Sequence, residues 1–261
     1  MDIRNYQLIK HRSPHATADL SNEGFITVGE KAFYKNQTVE TVILPKNLTT
    51  IRSKALANCG NLRGVVLNSE GRVGISTAAM ANCHRLQRVE NLQTVTSIGK
   101  KAFQNCFLLE NPQFGAPLER IGEAAFENCR SITEISLPNG VKMLEKQAFS
   151  GCRSLQKATI GTGCTVISRG IFRNCTSLTE ANLPDSVREI QADAYRNCNA
   201  LSQLNLPNGV KKIGKKAFFG CKSLNNVTTG ANCREIGAFA FDQNPALEQV
   251  ILANGVKRLG F

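Results

Sequence analysis

The chain lacks tryptophan, has three histidines, and contains no apolar run long enough to cross a bilayer. A membrane-spanning helix needs roughly 20 consecutive apolar residues, and no apolar signal region follows the start Met1-Asp2-Ile3-Arg4. The sequence therefore predicts neither a transmembrane segment nor a signal peptide. As written it predicts a cytoplasmic chain, or a cell-surface or secreted one if it is a fragment or is exported otherwise.

The few imidazole groups are poorly placed for catalysis. His11 and His15 lie in a non-repetitive N-terminal segment, and His84 lies beside a cysteine of the repeat described below. The chain has no nucleophile-elbow, phosphate-loop or dinucleotide-binding motif, and no Cys-x-x-Cys pair. We therefore predict a protein without a catalytic site, a cofactor or a metal.

The most informative feature that is present is a repeat. Apolar anchor residues recur every 23 residues, with one step of 24 from Leu56 to Met80. The ten anchors are Phe33, Leu56, Met80, Phe103, Phe126, Phe149, Phe172, Tyr195, Phe218 and Phe241. A single copy cannot bury its own apolar residues, so the copies must stack into a common core.

Each copy continues from its anchor into a short strand pattern. Position +3 is cysteine in eight copies, and apolar residues at +6, +9 and +11 have the spacing of a strand with one face inward. The copy that starts at Phe126 shows this spacing in Ile132, Ile135 and Leu137, which Pro138 follows. Proline and Asn-Gly pairs then favour a turn.

The second half of each copy leads to the next anchor. Apolar residues at +15 and +18, such as Val141 and Leu144, precede an Ala-Phe pair that predicts one helical turn or a short helix. Residues that accept the left-handed conformation stand at +2 and predict its C-terminal end. They are Asn58, Asn82, Asn105, Asn128, Gly151, Asn174, Asn197 and Gly220.

The stretches Ile121 to Pro138 and Ile213 to Leu224 resemble the BspA-like, or TpLRR, class of leucine-rich repeats. The resemblance covers residues 25–261 and leaves 1–24 as an N-terminal capping segment. It implies an α/β leucine-rich-repeat solenoid of about ten coils, with short parallel strands on the concave side and short helical segments opposite. It also implies a non-enzymatic module, adhesin-like or a scaffold, that binds other proteins.

The cysteines have the register of a buried spine. Those at +3 fall on the same face of consecutive coils, about 4.8 Å apart if the coils follow sheet spacing. A disulfide prefers a Cβ separation of about 3.5–4.5 Å with converging side chains. Cys164 and Cys233 stand where other copies have valine. We therefore predict ten buried, reduced thiols.

The outward strand positions +7, +8 and +10 form the natural binding face. Their charges nearly cancel, and small amides and hydroxyls dominate, which suits recognition of a protein, or of a glycan, on the concave face. A merely solvated sheet surface is the alternative. The candidate partner-binding residues are Thr133, Glu134, Ser136, Gln156, Lys157, Thr159, Thr179, Glu180, Asn182, Ser202, Gln203 and Asn205.

The excess of positive charge lies outside these outward strand positions. The formal net charge of +12 attracts acidic partners through long-range, salt-sensitive forces. Its densest group, the basic patch, is Lys211, Lys212, Lys215, Lys216 and Lys222. The alternative function is therefore a polyanion binder, for an acidic glycan or a nucleic acid. The lack of aromatic residues interleaved for stacking argues against nucleic acid.

Two departures from the period set the region from Leu56 to Phe114 apart. The 24-residue step falls near Asn68 to Gly71, and Pro112 replaces the apolar residue at +9. Because proline cannot donate to a sheet ladder, we predict local distortion of the sheet in this region.

The two ends of the repeat are predicted to differ. The N-terminal segment holds apolar residues that can cover the first coil, namely Ile3, Tyr6, Leu8 and Ile9. At the other end the sequence stops before the next anchor. We expect either a longer protein or a last coil that packs on another molecule, such as a second copy of the chain. The residues left without a following coil are Ile251, Leu252, Val256 and Leu259.

Overall fold

The computed structural model describes residues 2–4, 7–10 and 15–260. The chain forms two compact units, Met1–Ile132 and Thr133–Phe261. Each unit is built of coils that contribute short parallel strands, and the chain makes about eleven turns of about 23 residues. The predicted parallel-strand solenoid is confirmed.

The first unit contains two sheets. One has the strand order β1-β2-β4-β6-β8-β10-β11 and the other β3-β5-β7-β9. Strands β1 and β2 pair antiparallel, and the remaining pairs are parallel. The strands are β1 (Asp2–Arg4), β2 (Gln7–Lys10), β3 (Thr17–Asp19), β4 (Thr27–Val28), β5 (Thr41–Leu44), β6 (Thr50–Ile51), β7 (Gly64–Leu67), β8 (Val73–Ile75), β9 (Arg88–Glu90), β10 (Val95–Ile98) and β11 (Arg120–Ile121).

The second unit repeats this arrangement. Its parallel sheets have the orders β12-β14-β16, β18-β20-β22 and β15-β17-β19-β21-β23. The strands are β12 (Glu134–Ser136), β13 (Met143–Leu144), β14 (Lys157–Thr159), β15 (Val166–Ile167), β16 (Glu180–Asn182), β17 (Glu189–Ile190), β18 (Gln203–Asn205), β19 (Lys212–Ile213), β20 (Asn226–Thr228), β21 (Glu235–Ile236), β22 (Gln249–Ile251) and β23 (Arg258–Leu259).

The anchors form the centre of the core. Nine of the ten are buried, and Phe241 is partly exposed. Consecutive rings stack, with centroids 5.0 Å apart between Phe103 and Phe126 and 5.1 Å apart between Tyr195 and Phe218. These offsets lie in the range that aromatic pairs favour. One anchor per coil therefore continues the core from copy to copy within each unit.

The prediction of short helical segments is wrong. In the described residues there is no α-helix, and the one helical element is a 3-10 turn at Leu92–Thr94. Around the anchor Tyr195, the backbone N–H groups of Asp193, Tyr195 and Asn197 donate to carbonyls of the following coil. A helix would direct these donors to the residue four positions back, so bonds between coils replace the helix. No described helix is long and apolar enough to span a membrane.

A pair of left-handed residues makes this geometry. In all ten copies the residues at −2 and +2 from the anchor have positive φ, for example Lys101 at φ 57 and Asn105 at φ 61. The predicted left-handed residues at +2 are thus confirmed, although they bound a turn and not a helix. The position at −2 was not anticipated, because lysine, alanine and glutamine commonly stand there and do not favour this conformation.

The cysteines occupy the buried positions that the sequence predicts. All ten cysteines are buried as free thiols. The Cys59 thiol donates to the carbonyl oxygen of Phe33 at 3.0 Å, and the Cys106 thiol donates to that of Met80 at 3.2 Å. Beside this row, the Nδ2 atom of Asn105 donates to Oδ1 of Asn82 at 2.8 Å. Thiols and amides therefore satisfy polar groups between coils.

Of the two predicted irregularities, one interrupts the sheet and the other does not. The sheet β3-β5-β7-β9 ends at β9, and no strand is assigned at Pro112, so the expected distortion there is confirmed. The 24-residue step leaves β5, β7 and β9 paired, because the turn after β7 holds the extra residue. In that turn the buried Ser69 hydroxyl donates to the Leu48 carbonyl at 2.7 Å and accepts from the N–H of Gly71 at 3.2 Å.

The terminal segments lie against the outer coils. Strand β2 pairs with β4 and β3 pairs with β5, so these two strands continue the parallel ladders of the following coils. Leu8 is buried there, whereas Tyr6 and the side chains of Ile3 and Ile9 lie outside the described part of the chain. In the last coil Ile251, Leu252 and Leu259 are exposed, and Val256 is partly exposed.

Candidate interaction surfaces

The predicted binding residues lie on one side of the second unit. We call the exposed side chains at +7, +8 and +10 of strands β12, β14, β16 and β18 the first-strand face. Every one of the twelve candidates is exposed or partly exposed, while the residue between the +8 and +10 positions points inward. Ile135 and Ala158 are such inward residues and are buried. The period-2 alternation of a strand therefore places the candidates on one surface.

Parallel register aligns these side chains into rows. At +8, Glu134 pairs with Lys157 and Lys157 with Glu180, and the Lys157 ammonium lies 3.5 Å from the Glu180 carboxylate. At +10 the row is Ser136, Thr159 and Asn182. The face therefore offers a charged row of alternating sign beside a row of neutral donors and acceptors.

The face is divided between two sheets. The first nine candidates belong to β12-β14-β16, and Ser202, Gln203 and Asn205 belong to β18-β20-β22. No ladder joins β16 to β18 in the sheets assigned to the described residues. This division could not be predicted from the spacing of residues, because the copy there has no proline at +9.

The basic patch does not form one cluster. Lys212 lies in β19 between two carboxylates, 3.9 Å from Glu189 and 3.8 Å from Glu235. Arg258 contacts the same Glu235 at 3.2 Å. Alternating charges along this sheet neutralise one another, so Lys212 adds little to a field that could attract a polyanion.

Lysines 215 and 216 lie on the turn side of the coils, against two aromatic rings. The Lys216 ammonium is 5.3 Å from the Phe219 ring centroid and 5.6 Å from that of Phe239. Lys215 lies 5.9 Å from Phe239, and the Arg196 guanidinium lies 5.1 Å from Phe219. These distances are in the range of cation–π attraction. We call these five residues the cation–aromatic stack.

A cleft of about 590 Å³ adjoins the stack. Phe219 and Lys222 line it together with Asp242 and Asn244. The Oδ1 atom of Asn244 accepts the N–H of Cys221 at 2.7 Å, which fixes the amide. Its Nδ2 atom is buried and has no acceptor in the described part of the structure. The cleft thus combines an aromatic wall, an ammonium group and a carboxylate.

Phe219 and Phe239 are not among the residues predicted from the sequence to form a binding site. A signal was present at Phe239, because the corresponding −2 position carries a polar or small residue in the other nine copies. Phe239 is 44% exposed, which is unlike the buried anchors.

Two observations on the described residues concern groups that a catalytic site could use, namely metal ligands and thiols. They contain no group of three or more His, Cys, Asp and Glu side chains placed to hold a metal ion. Burial raises the pKa of the Cys106 and Cys221 thiols to about 12, so these groups stay protonated at neutral pH. A protonated, buried thiol is a poor nucleophile.

Comparison with known proteins identifies the repeat. The family model described as a BspA type leucine rich repeat region matches the chain in six copies, over residues 15–130, 96–206 and 188–261. No curated protein matches the chain significantly.

Two solved structures, with TM-scores above 0.5, share the fold. A leucine-rich repeat protein from Bacteroides ovatus has a TM-score of 0.52 at 20% identity, with 94% of this chain and 88% of that chain covered. One from Eubacterium ventriosum has a TM-score of 0.56 at 18% identity, covering 87% and 64%. The Treponema pallidum leucine rich repeat protein has a TM-score of 0.46 at 23% identity, covering 80% and 78%.

Proposed function

Since the chain belongs to the BspA-type leucine-rich repeat family, we propose that it is a non-enzymatic module that binds a partner protein on its first-strand face. The observation that carries this proposal is the aligned pair of rows on strands β12, β14 and β16. Adjacent strands lie about 4.8 Å apart, so hydrogen-bonding groups recur at short, regular intervals along the sheet. Extended arrays of this kind suit a protein surface better than a small substrate.

The composition of the rows favours a protein over a polyanion. The +8 row alternates Glu134, Lys157 and Glu180, so its field largely cancels. The +10 row consists of two hydroxyls and one amide, which both donate and accept. A phosphate or sulfate polymer would meet two carboxylates here for each ammonium group. Such a surface is consistent with an adhesin-like role and with a scaffolding role.

Site-specific photo-crosslinking tests the proposal. A photoreactive amino acid at Thr159, in the middle of the first-strand face, should capture a defined protein from candidate extracts. The same probe at Met143, which is 54% exposed in β13, is the control. Ser136→Arg and Asn182→Arg introduce bulk and charge on the face, and each should abolish capture at Thr159. Met143→Arg should leave that capture unchanged.

The captured protein is then made pure and titrated against the chain at low and physiological ionic strength. Binding through a nearly neutral, hydrogen-bonded face should weaken little with salt. Equal capture from Thr159 and Met143, or capture that survives both face variants, would show that the first-strand face is only a solvated surface.

A further inference from the structure

Phe239 occupies an unfavourable position for a large apolar residue. Its φ is 57°, in the left-handed region, and its side chain is 44% exposed. A bulky residue in this conformation is strained, and an exposed ring gains little from burial. The other nine copies have a polar or small residue at this position, namely Lys31, Lys54, Ala78, Lys101, Ala124, Gln147, Gly170, Asp193 and Lys216. Neither packing nor backbone preference therefore explains Phe239.

The cations around the two rings are held in place. Arg196 lies over Phe219 and also contacts Asp193 at 3.3 Å, while Lys216 lies over both Phe219 and Phe239. Long cationic side chains normally lose conformational freedom when they bind a partner. Because the stack already restricts these side chains, less of that freedom remains to be lost.

We propose that the cation–aromatic stack and the adjoining cleft form a second interaction surface, which takes an acidic peptide segment of a partner protein. Carboxylates of the peptide would pair with Arg196, Lys215 and Lys216. An apolar side chain between them would pack on the exposed ring of Phe239. In the cleft, Lys222 would hold a backbone carbonyl of the peptide.

A peptide fits this surface better than a nucleic acid. Arg196 and Lys216 already lie over the Phe219 ring, so a base would have to displace a cation to stack there. Asp242 in the cleft wall would repel a phosphate, and a nucleic acid carries one at every nucleotide. A peptide can place a neutral residue or an N–H donor opposite Asp242.

This surface is separate from the first-strand face. Its residues lie around the anchors Tyr195, Phe218 and Phe241, whereas the first-strand face is formed by the exposed positions of β12, β14, β16 and β18. The inference therefore does not rest on the proposed function, and either can fail alone.

Fluorescence anisotropy with the full chain tests the inference. The probe is a short labelled peptide in which glutamates alternate with leucines, and the competitor is single-stranded DNA of mixed sequence, both at ~0.15 M salt. The triple variant Lys215→Gln, Lys216→Gln and Lys222→Gln should weaken peptide binding about tenfold. The matched control removes three exposed lysines elsewhere in the unit, by Lys142→Gln, Lys211→Gln and Lys257→Gln, and should change the affinity less than about twofold.

The variant Phe239→Gly tests the contribution of the aromatic ring to peptide affinity separately from that of the charged groups. Glycine accepts the φ of 57° without strain, so this variant should remain folded, as judged by its thermal midpoint. It should nevertheless bind the peptide several-fold more weakly. The proposal is overturned if wild type does not bind the peptide, if both triple variants lose the same affinity, or if Phe239→Gly binds as well as wild type. DNA that binds more tightly than the peptide would assign the surface to nucleic acid instead.

Discussion

The thiol of Cys198 donates a hydrogen bond to the carbonyl oxygen of Phe172, 3.2 Å away in the preceding coil. The same bond joins Cys221 to Tyr195 and Cys175 to Phe149. The anchor carbonyl of Phe172 also accepts the N–H of Cys175 within its own turn, at 3.0 Å, so the thiol of the next coil is a second donor to the same oxygen. Cysteine at +3 is small enough to fit beside the anchor and can still donate. This explains why the position is cysteine in so many copies and not simply a hydrophobic residue.

The thiols should be reduced and inert in the native protein. Burial raises the pKa of Cys106 to about 12 and that of Cys164 to about 11, so these two thiols carry little thiolate at pH 8. Alkylation by iodoacetamide at this pH should be at least ~10-fold slower in the native than in the unfolded protein. In guanidinium without reductant, all ten thiols should react, and four or five disulfides found by mass spectrometry would contradict the spine.

The same shifts predict loss of stability at high pH. Cys106 and Cys221 keep their protons until about pH 12 in the native protein, whereas unfolded cysteines release theirs near pH ~8.5. Above that pH the native state binds more protons than the unfolded state, so stability falls as pH rises through this window. Each thiol contributes a slope of up to ~1.4 kcal/mol per pH unit.

Urea midpoints between pH 7 and pH 11 measure this effect. A Cys106→Ala variant should be less stable at neutral pH but should show a shallower decline above pH ~9, by about one proton. Lysines also lose their charge in this pH range. Because the variant and the wild type have the same lysines, their effect cancels in the comparison. Identical slopes in the variant and the wild type would show that the thiols do not control alkaline stability.

Much of the fold could be predicted from the spacing of residues, and the part that could not is physically distinct. The period places the anchors, Cys106 and Asn105 correctly, because each must contact its equivalent in the next coil. The Ala-Phe pair is compatible with a helical turn by local preference. Hydrogen bonds between coils, which no single copy reveals, override that preference and fix the left-handed residue at −2.

The surfaces could be predicted less completely. Strand alternation correctly exposes the twelve candidates of the first-strand face, since it depends only on the inward position of neighbours such as Ile135. The basic patch was defined by nearness in sequence, but Lys212 lies between Glu189 and Glu235 of neighbouring coils. Residues one period apart are neighbours in this fold, so charges must be read across copies and not along them.

Tyr195→Phe should stabilise the protein. The ring of Tyr195 stacks between Phe172, at 5.4 Å, and Phe218, at 5.1 Å. Its hydroxyl is buried without a hydrogen-bond partner in the described part of the structure. Removing an unsatisfied buried hydroxyl should raise the free energy of unfolding by about 1 kcal/mol, measured by urea denaturation. The reciprocal change Phe172→Tyr should lower it, and a loss of stability in Tyr195→Phe would reveal a partner for the hydroxyl.

Substitutions at Asn105 separate two contributions to stability. One is the cost of the left-handed backbone conformation, and the other is the row of side-chain amide hydrogen bonds between coils, which we call the amide ladder. Asn105 donates through Nδ2 to Asn82 at 2.8 Å, its Oδ1 accepts from Asn128 at 2.9 Å, and its φ is 61°. Asn105→Gly removes both hydrogen bonds but accepts the backbone conformation. Asn105→Ala removes the same bonds and adds strain at a left-handed residue, which costs about 1–2 kcal/mol. Alanine should therefore be the more destabilising substitution, by about 1 kcal/mol in urea denaturation. If the two variants were equally stable, the ladder and not the turn would determine asparagine at +2.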